Sequence, residues 1–436
     1  MFFLYNILFF LFALVYLPLF AMKGKFKTGF GARFGKLSAK LREELAGQRP
    51  VWVHAVSVGE IGLAVSLVSR LREKLPQKKF LLTTTTRAGY AVADKIKNEE
   101  DALTFFPIDF PWAVNSFLEA ADPSMLVLLE TEIWPNVLHS LAKRGVPILL
   151  ANGRISDRAF GKYLTVRFFL KRLFRTMEGI SAQDERMRSR FIALGASPEQ
   201  VVVNGNLKYD WEPSLLQEDG AAGLKRALRS SAKQLLVAGS THEGEETIFF
   251  RQYTRMKSGF PTARLLVAPR HLERLGAVEK EAQRAGLNPR RIRTDSYQAL
   301  TDFKEGDVWL LDQVGVLATL YECASLVFVG GSLVPVGGHN LAEPAYYSKP
   351  ILFGPHMHNF VQMASEFKIN GAALQVADAD ALAREWEAML TSSSDKARAM
   401  GAAARELVRR HQGAAQKNVE WILSCVDSKE RNLVKV

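Results

Sequence analysis

Cysteine is scarce in this 436-residue chain: Cys323 and Cys425 are the two present, about a hundred residues apart and without metal-type spacing around them. That scarcity argues against a disulfide scaffold and a zinc site, and it suits a reducing cytoplasm. The eight histidines include no HExxH or similar ligand pair, so no protein-bound catalytic metal is expected. No block is depleted enough in apolar residues to read as disordered, and with 48% hydrophobic residues the chain can fill two ordinary domain cores. Charge is absent from Met1–Met22, where only Asn6 and Pro18 interrupt the apolar run.

At ~1.5 Å per residue a helix over Met1–Met22 reaches about the ~30 Å hydrocarbon thickness of a bilayer. Seven basic residues follow with no acid among them: Lys23, Lys25, Lys27, Arg33, Lys36, Lys40 and Arg42. A secretory signal would place its basic residues ahead of the apolar run and small residues at a cleavage site. The expectation is therefore a retained membrane anchor, single-pass or monotopic, with everything after it on the cytoplasmic side. The positive charge is also uneven. Met1–Asp210 carries 29 Lys and Arg against 19 Asp and Glu, and the remainder 28 against 26. The first half thus faces something acidic: an anionic membrane, an acidic substrate or nucleic acid. Its basic segments lack the aromatic-interleaved modules of nucleic-acid readers, so no nucleic-acid partner is expected.

Beyond Arg49 short apolar runs alternate with helical patterns. Strands are expected at 51–56, 79–84, 124–129 and 146–150, with a helix at 59–75. The alternation breaks at Trp211-Glu-Pro-Ser and resumes with strands at 234–238, 263–268, 307–311, 326–329 and 350–353. This predicts an α/β chain of two doubly wound parallel sheets: an anchor at 1–22, one domain at 23–210, a linker at 211–233 and a second domain at 234–436 with C-terminal helices. In such sheets ligands bind at the carboxyl ends of strands, so the loops after these runs carry the candidate residues.

In the second half, VPVGGHNLAEP (334–344) follows a strand and a Gly330–Gly331 turn and leads into a helix expected at 340–347. Gly337 and Gly338 permit close approach of a ligand, the helix start suits a phosphate, and Glu343 can face ribose hydroxyls. Arg270 in APRH has a planar fork suited to phosphate, or to a salt bridge. In VAGSTHEGE (237–245), Ser240 or Thr241 is a ligand contact or a helix N-cap. These three loops converge on a nucleotide-bound donor. In the first half, VHAVSVGE (53–60) ends a strand at Glu60, which is placed either to take a proton from an acceptor hydroxyl or to complement a helix dipole. ETEIWPN (130–136) puts Glu130 and Glu132 directly after a strand, and GNLKYD (205–210) puts Lys208 near the domain junction, where it could steady developing negative charge.

Taken in order along the chain to about residue 360, these six motifs resemble those of the bacterial 3-deoxy-D-manno-octulosonic acid (Kdo) transferases of lipid A assembly. The resemblance implies a GT-B fold with two Rossmann-like domains facing a central cleft. It implies that the N-terminal domain holds a phosphorylated lipid A precursor as acceptor and the C-terminal domain holds CMP-Kdo as donor. Transfer would invert the anomeric centre, with neither a cofactor nor a protein-bound metal. By motif position Glu60 would be the general base, and Glu130 and Lys208 would stabilise the transition state. Pro269, Arg270, Asp312, Gln313, Val314, Gly315, Gly337, Gly338, His339, Asn340 and Glu343 would bind CMP. The alternatives are another GT-B enzyme or epimerase using a UDP-sugar, and a non-enzymatic membrane-tethered binder of anionic ligands.

The motifs leave residues 154–175 unexplained. Arg154, Arg158, Lys162, Arg167, Lys171, Arg172 and Arg175 meet one acid, Asp157, among many apolar residues. Arg158 and Lys162 are four apart, as are Arg167, Lys171 and Arg175, so each set shares a helical face. The expectation is a basic, aromatic-rich helical stripe on an anionic membrane surface or on the acceptor's phosphates, against a solvated face over ordinary core.

Overall fold

The computed structural model describes residues 2–22, 29–211, 215–297, 300, 304–391 and 395–433. Lys23, Lys25 and Lys27 of the expected basic flank, and Glu212–Ser214 of the expected break, lie outside the described residues. The chain forms two units, Met1–Leu207 with Gly413–Val436, and Lys208–Gln412.

The first unit is built on a seven-stranded parallel sheet: β1 (Val51–His54), β2 (Phe80–Thr84), β3 (Ala102–Phe105), β4 (Met125–Leu129), β5 (Ile148–Gly153), β6 (Gly179–Ala182) and β7 (Val201–Val203), in the order β3-β2-β1-β4-β5-β6-β7. Strands β1 to β6 are buried along their whole length, as parallel strands covered by helices on both faces must be. One face packs Trp52, Phe117, Leu128, Leu141 and Phe174 together, the other Val53, Ile61, Leu67 and Val127. To that second face the C-terminal helix Ala414–Leu433 contributes Ala414, Ala415, Val419 and Ile422.

The second unit repeats the plan with β8 (Gln234–Thr241), β9 (Ala263–Pro269), β10 (Asn288–Ile292), β11 (Asp307–Leu311), β12 (Leu326–Val329), β13 (Ile351–Phe353) and β14 (Leu374–Gln375), ordered β10-β11-β9-β8-β12-β13-β14 and all parallel. The strand order turns about β1/β4 in the first sheet and about β8/β12 in the second. A crevice opens at the carboxyl ends there, because the two connections leave in opposite directions.

Two expectations change. Residues 211–233 are not a linker: Leu215–Ser231 is a helix whose Ala221, Leu224 and Leu228 are buried in the second unit's core. The chain passes between units at Leu207/Lys208 instead, and returns at Gln412/Gly413, so the final helix belongs with the first unit. The apolar N-terminus does form a helix, Phe2–Met22, yet among the described residues no helix is long and apolar enough to cross a membrane. The spanning anchor therefore finds no support. One face of this helix is instead spent on protein. The Tyr5 hydroxyl donates to the buried Asp109 carboxylate at 2.7 Å, and Asn136 Nδ2 donates to Asn6 Oδ1 at 2.7 Å. Phe2 stacks on His139, and Phe9 meets Phe110 edge-on. Phe3, Leu8, Leu11 and Val15 remain exposed on the other side.

Candidate active site

In the first unit the acids expected from the motifs sit at the crevice between β1 and β4. The helix Val58–Lys74 starts there because Ser57 caps it, its Oγ accepting from the Glu60 N–H at 3.3 Å. Glu60 turns back on the same turn: Oε1 accepts from Ser57 Oγ at 2.6 Å and Oε2 from the Val56 N–H at 2.9 Å. Both oxygens are oriented by this capping, and orienting a carboxylate does not remove its basicity. The dipole reading and the base reading of Glu60 are thus compatible.

Glu130 follows β4 directly with φ of +56°, a left-handed backbone that a non-glycine residue holds at a cost of ~1–3 kcal/mol. Its N–H still donates to the Ala151 carbonyl at 3.0 Å, so the strain falls on the turn that aims this residue out of the sheet. Glu132, two residues on, accepts from Trp134 Nε1 at 3.0 Å. Its carboxyl is pushed up to about 7, by burial first and then by the negative charges of Glu60 and Glu130. The three acids therefore share one electrostatic neighbourhood. Motif position alone assigns Glu132 no role, although it lies two residues beyond Glu130. Beneath them His54 is fully buried, held neutral with its pKa drawn down to about 3 by burial, and placed by Thr83, whose carbonyl accepts from Nδ1 at 3.0 Å.

Lys208 belongs to the second unit. It opens that unit, its Nζ 5.3 Å from the centre of the Phe360 ring and its carbonyl accepting from Asn340 Nδ2 at 3.4 Å.

Around the β8/β12 crevice of the second unit the histidines come together. His242 and His339 lie with their Nε2 atoms 3.0 Å apart and their rings nearly parallel, and His271 meets His242 edge-on. Burial, then the neighbouring His271, Arg270 and Arg274, draws His242 down to about 4. Burial, then Arg270 and the neighbouring imidazoles, draws His339 down to about 3. Both are neutral at physiological pH, one ring nitrogen donating to the other. Glu343 is pushed up to about 7 by burial, with Arg270 opposing the rise. Pro269 ends β9, and Arg270 is exposed just beyond it, its N–H donating to the Thr241 carbonyl at 3.0 Å.

Several expected details differ. The Gly337 and Gly338 amides do not face a ligand, because both donate to the Gly331 carbonyl at 3.1 and 2.8 Å. Glycine is required there for another reason. Both residues have positive φ, and a Cβ would fall 2.2 Å from Asn359 Nδ2 or 2.1 Å from Met357 Sδ. The following helix, Ala342–Tyr346, is a single turn, and its Ala342 N–H is already taken by Asn340 Oδ1 at 3.0 Å, so it offers no phosphate cradle of its own. Asp312 pairs with Arg291 at 3.4 Å, and Gln313 accepts from the Thr294 N–H at 2.9 Å, which leaves Val314 exposed beside Gly315. Among the described residues no group of three or more His, Cys, Asp or Glu side chains is arranged to hold a metal.

The stripe at 154–175 is two helices, not one. Asp157–Thr165 and Arg167–Phe174 are separated at Val166, whose φ of −112° and ψ of 18° leave the helical region. Arg158, Lys162, Arg167 and Lys171 are exposed, and Arg154 is half-buried. Asp157 pairs with Arg186 and Arg190. Leu170, Leu173 and Phe174 are core, whereas Leu164, Val166 and Phe168 are exposed, so the segment is part core and part unpartnered apolar surface.

Two doubly wound parallel sheets, each with polar groups gathered where its strand order turns, define a two-unit α/β architecture. The chain is similar in fold to a putative UDP-N-acetylglucosamine 2-epimerase from Listeria monocytogenes, at a TM-score of 0.56 and 12% identity over 88% of this chain and 98% of that one. Residues 28–211 match the family described as 3-Deoxy-D-manno-octulosonic-acid transferase (kdotransferase). The 3-deoxy-D-manno-octulosonic acid transferase of Bordetella pertussis is 31% identical, with 91% of this chain and 92% of that protein covered. That of Haemophilus influenzae is 30% identical over 85% and 86%. The chain belongs to the Kdo transferase family, glycosyltransferases of lipopolysaccharide biosynthesis. It spans 54% of a third relative, a bifunctional glycosyltransferase/methyltransferase of Fusobacterium nucleatum, at 32% identity.

Proposed function

We propose that the protein transfers Kdo from CMP-Kdo to a phosphorylated lipid A precursor, with inversion at the anomeric carbon and without a resident metal. The observation that carries this reading is the gathering of Glu60, Glu130 and Glu132 at the β1/β4 crevice of a chain in this family. In the reaction the acceptor hydroxyl oxygen bonds to the anomeric carbon, the bond from that carbon to the CMP phosphate breaks, and the hydroxyl proton passes to Glu60. Glu130 and Lys208 stabilise the transition state. The second unit holds the donor through Pro269, Arg270, the 312–315 loop, His339, Asn340 and Glu343, with Gly337 and Gly338 shaping the loop. The first unit holds the acceptor at an anionic inner-membrane surface on its cytoplasmic side. The exposed apolar face of Phe2–Met22 enters the headgroup region in-plane, and Arg158, Lys162, Arg167 and Lys171 add electrostatic attraction.

The test is to incubate the detergent-extracted protein with CMP-Kdo and purified lipid A precursor and weigh the product by mass spectrometry. Added mass in Kdo units, with inhibition by CMP and not by UDP, is expected. No incorporation, or inhibition by UDP alone, rejects the reading.

A further inference from the structure

The turn after β12 contains three successive amides, Gly331, Ser332 and Leu333, arranged as a cradle for an anion. A ligand phosphate would be its natural guest, but the cradle is already filled by the protein. Glu245, the first residue of the helix Glu245–Met256 that follows β8, is completely buried and reaches across the crevice. Its Oε1 accepts from the Ser332 N–H at 3.0 Å and the Leu333 N–H at 2.9 Å. Its Oε2 accepts from the Gly331 N–H at 2.7 Å and the His242 N–H at 2.9 Å. Four donors saturate the carboxylate, so it has no capacity left for a ligand. A buried charge is costly unless it is bonded in this way, and a helix start alone would not need three amides from a distant turn.

What lies on that turn gives the arrangement its meaning. The Gly331 Cα is the floor under the histidine pair: a Cβ there would fall 3.2 Å from both His242 Cδ2 and His339 Cδ2. The Gly331 carbonyl accepts from Gly337 and Gly338 and so anchors the loop that carries His339. Ser332 extends the lacing to β13, its Oγ accepting from the Gly354 N–H at 2.8 Å and its carbonyl from the His356 N–H at 2.9 Å. One carboxylate thus ties the His242 backbone on one side of the crevice to the support of His339 on the other.

We infer that Glu245 is a positioning residue of the donor site, a built-in anion that holds the Gly331–Leu333 turn and so sets the register of the His242–His339 pair toward the sugar nucleotide. The inference rests on the second unit being the donor unit. It also says where the donor's negative charge does not go, since the amides best placed for it are spent.

The experiment compares Glu245→Gln with Glu246→Gln in the full chain. A glutamine offers one carbonyl oxygen for four N–H donors and presents its own NH₂ to the rest, so the turn must move. Glu246 is equally buried but bonds Thr241 and Arg274 and does not touch the turn, so it reports a merely structural loss. Glu245→Gln is expected to raise KM for CMP-Kdo and the Kd for CMP by roughly tenfold or more, with acceptor KM unchanged. It should also shift the imidazole ¹⁵N signals of His242 and His339. Glu246→Gln should lower Tm and leave those readouts in place. Should Glu245→Gln fail to fold, Gly331→Ala decides by pressing on both rings directly, with the same rise in donor KM expected. A donor KM within twofold of the parent in the folded variant, or equal losses in both glutamine variants, overturns the role of Glu245. Failure of the parent itself to bind CMP overturns instead the donor assignment.

Discussion

The two units share a seven-stranded, doubly wound parallel plan but use their crevices in opposite ways. In the first unit the strand ends present acids that crowd one another: Glu60 on a capped helix start, Glu130 on a left-handed turn, and Glu132 with a carboxyl at about 7. In the second unit the strand ends satisfy one another. Glu245 fills the β12 turn, Gly331 receives the glycine amides, Asn340 caps its own helix, and two histidines are paired. Each crevice also has a strained non-glycine backbone beside it, Glu130 at φ +56° and Ser240 at φ +55°. The difference suits two tasks. A site proposed to move a proton gathers like charges, whereas a site proposed to recognise a rigid nucleotide needs a scaffold fixed before the ligand arrives.

The sharpest way to break this division is Glu60→Gln, which should lower kcat by ~10²–10⁴-fold while CMP still binds with parental affinity in calorimetry. A variant turning over at a near-normal rate removes the base from the first unit. Next in size is the triple change Lys162, Arg167 and Lys171 to Ser. At roughly 1 kcal/mol per cation near an anionic surface, binding to anionic vesicles at low salt should drop by about two orders of magnitude. Acceptor KM should rise and donor KM stay put, and unchanged vesicle binding would mean a solvated face. Glu343→Ala should act in the mirror sense, raising donor KM by roughly tenfold with acceptor KM constant. Equal CMP affinity in parent and variant would show that the 334–344 loop is structural.

The smallest effect sharpens the comparison through pH. Because the folded Glu132 carboxyl is raised from its ordinary 4.5 to about 7, the folded state binds its proton more tightly than the unfolded chain. That contribution is complete below about 4.5 and is lost as pH rises through 7. Glu132→Gln should therefore stabilise the protein by ~1–2 kcal/mol at pH 8 and hardly at all at pH 4.5, read from urea melts at the two values. A variant equally stable relative to the parent at both would dissolve the shared acidic neighbourhood.

Much of this was legible in the sequence because the main strands are continuous apolar runs. The strands expected at 307–311 and 326–329 match β11 and β12 residue for residue, and most others differ by a few residues at the ends. The run expected at 51–56 stops at His54 because Ser57 and Val56 are drawn into the helix cap. Strands β3, β6, β7, β10 and β14 were missed. They are short, and β6 (Gly-Ile-Ser-Ala) and β10 (Asn-Pro-Arg-Arg-Ile) carry glycine, proline or charge that propensity alone assigns to loops. Residues 211–233 looked like a linker because their polarity hides three buried positions at helical spacing. For the site, motif order pointed to loops that the structure does place at strand ends, since strand-end placement is a sequence property. What each polar group does inside its loop was not legible. Whether the Gly338 amide meets a phosphate or the Gly331 carbonyl depends on contacts between segments distant in sequence.

The return of the chain to its first unit at Gly413 has a consequence for synthesis. The Lys208–Gln412 unit is continuous in sequence and holds the whole of its own core. The first unit, although made earlier, must wait for Ala414, Ala415, Val419 and Ile422 to cover one face of its sheet. Order of completion thus runs opposite to order of translation, and the half-built sheet is exposed apolar surface throughout that interval. A chain cut before residue 413 would carry a second unit with its core complete beside a first unit whose sheet lacks part of its cover.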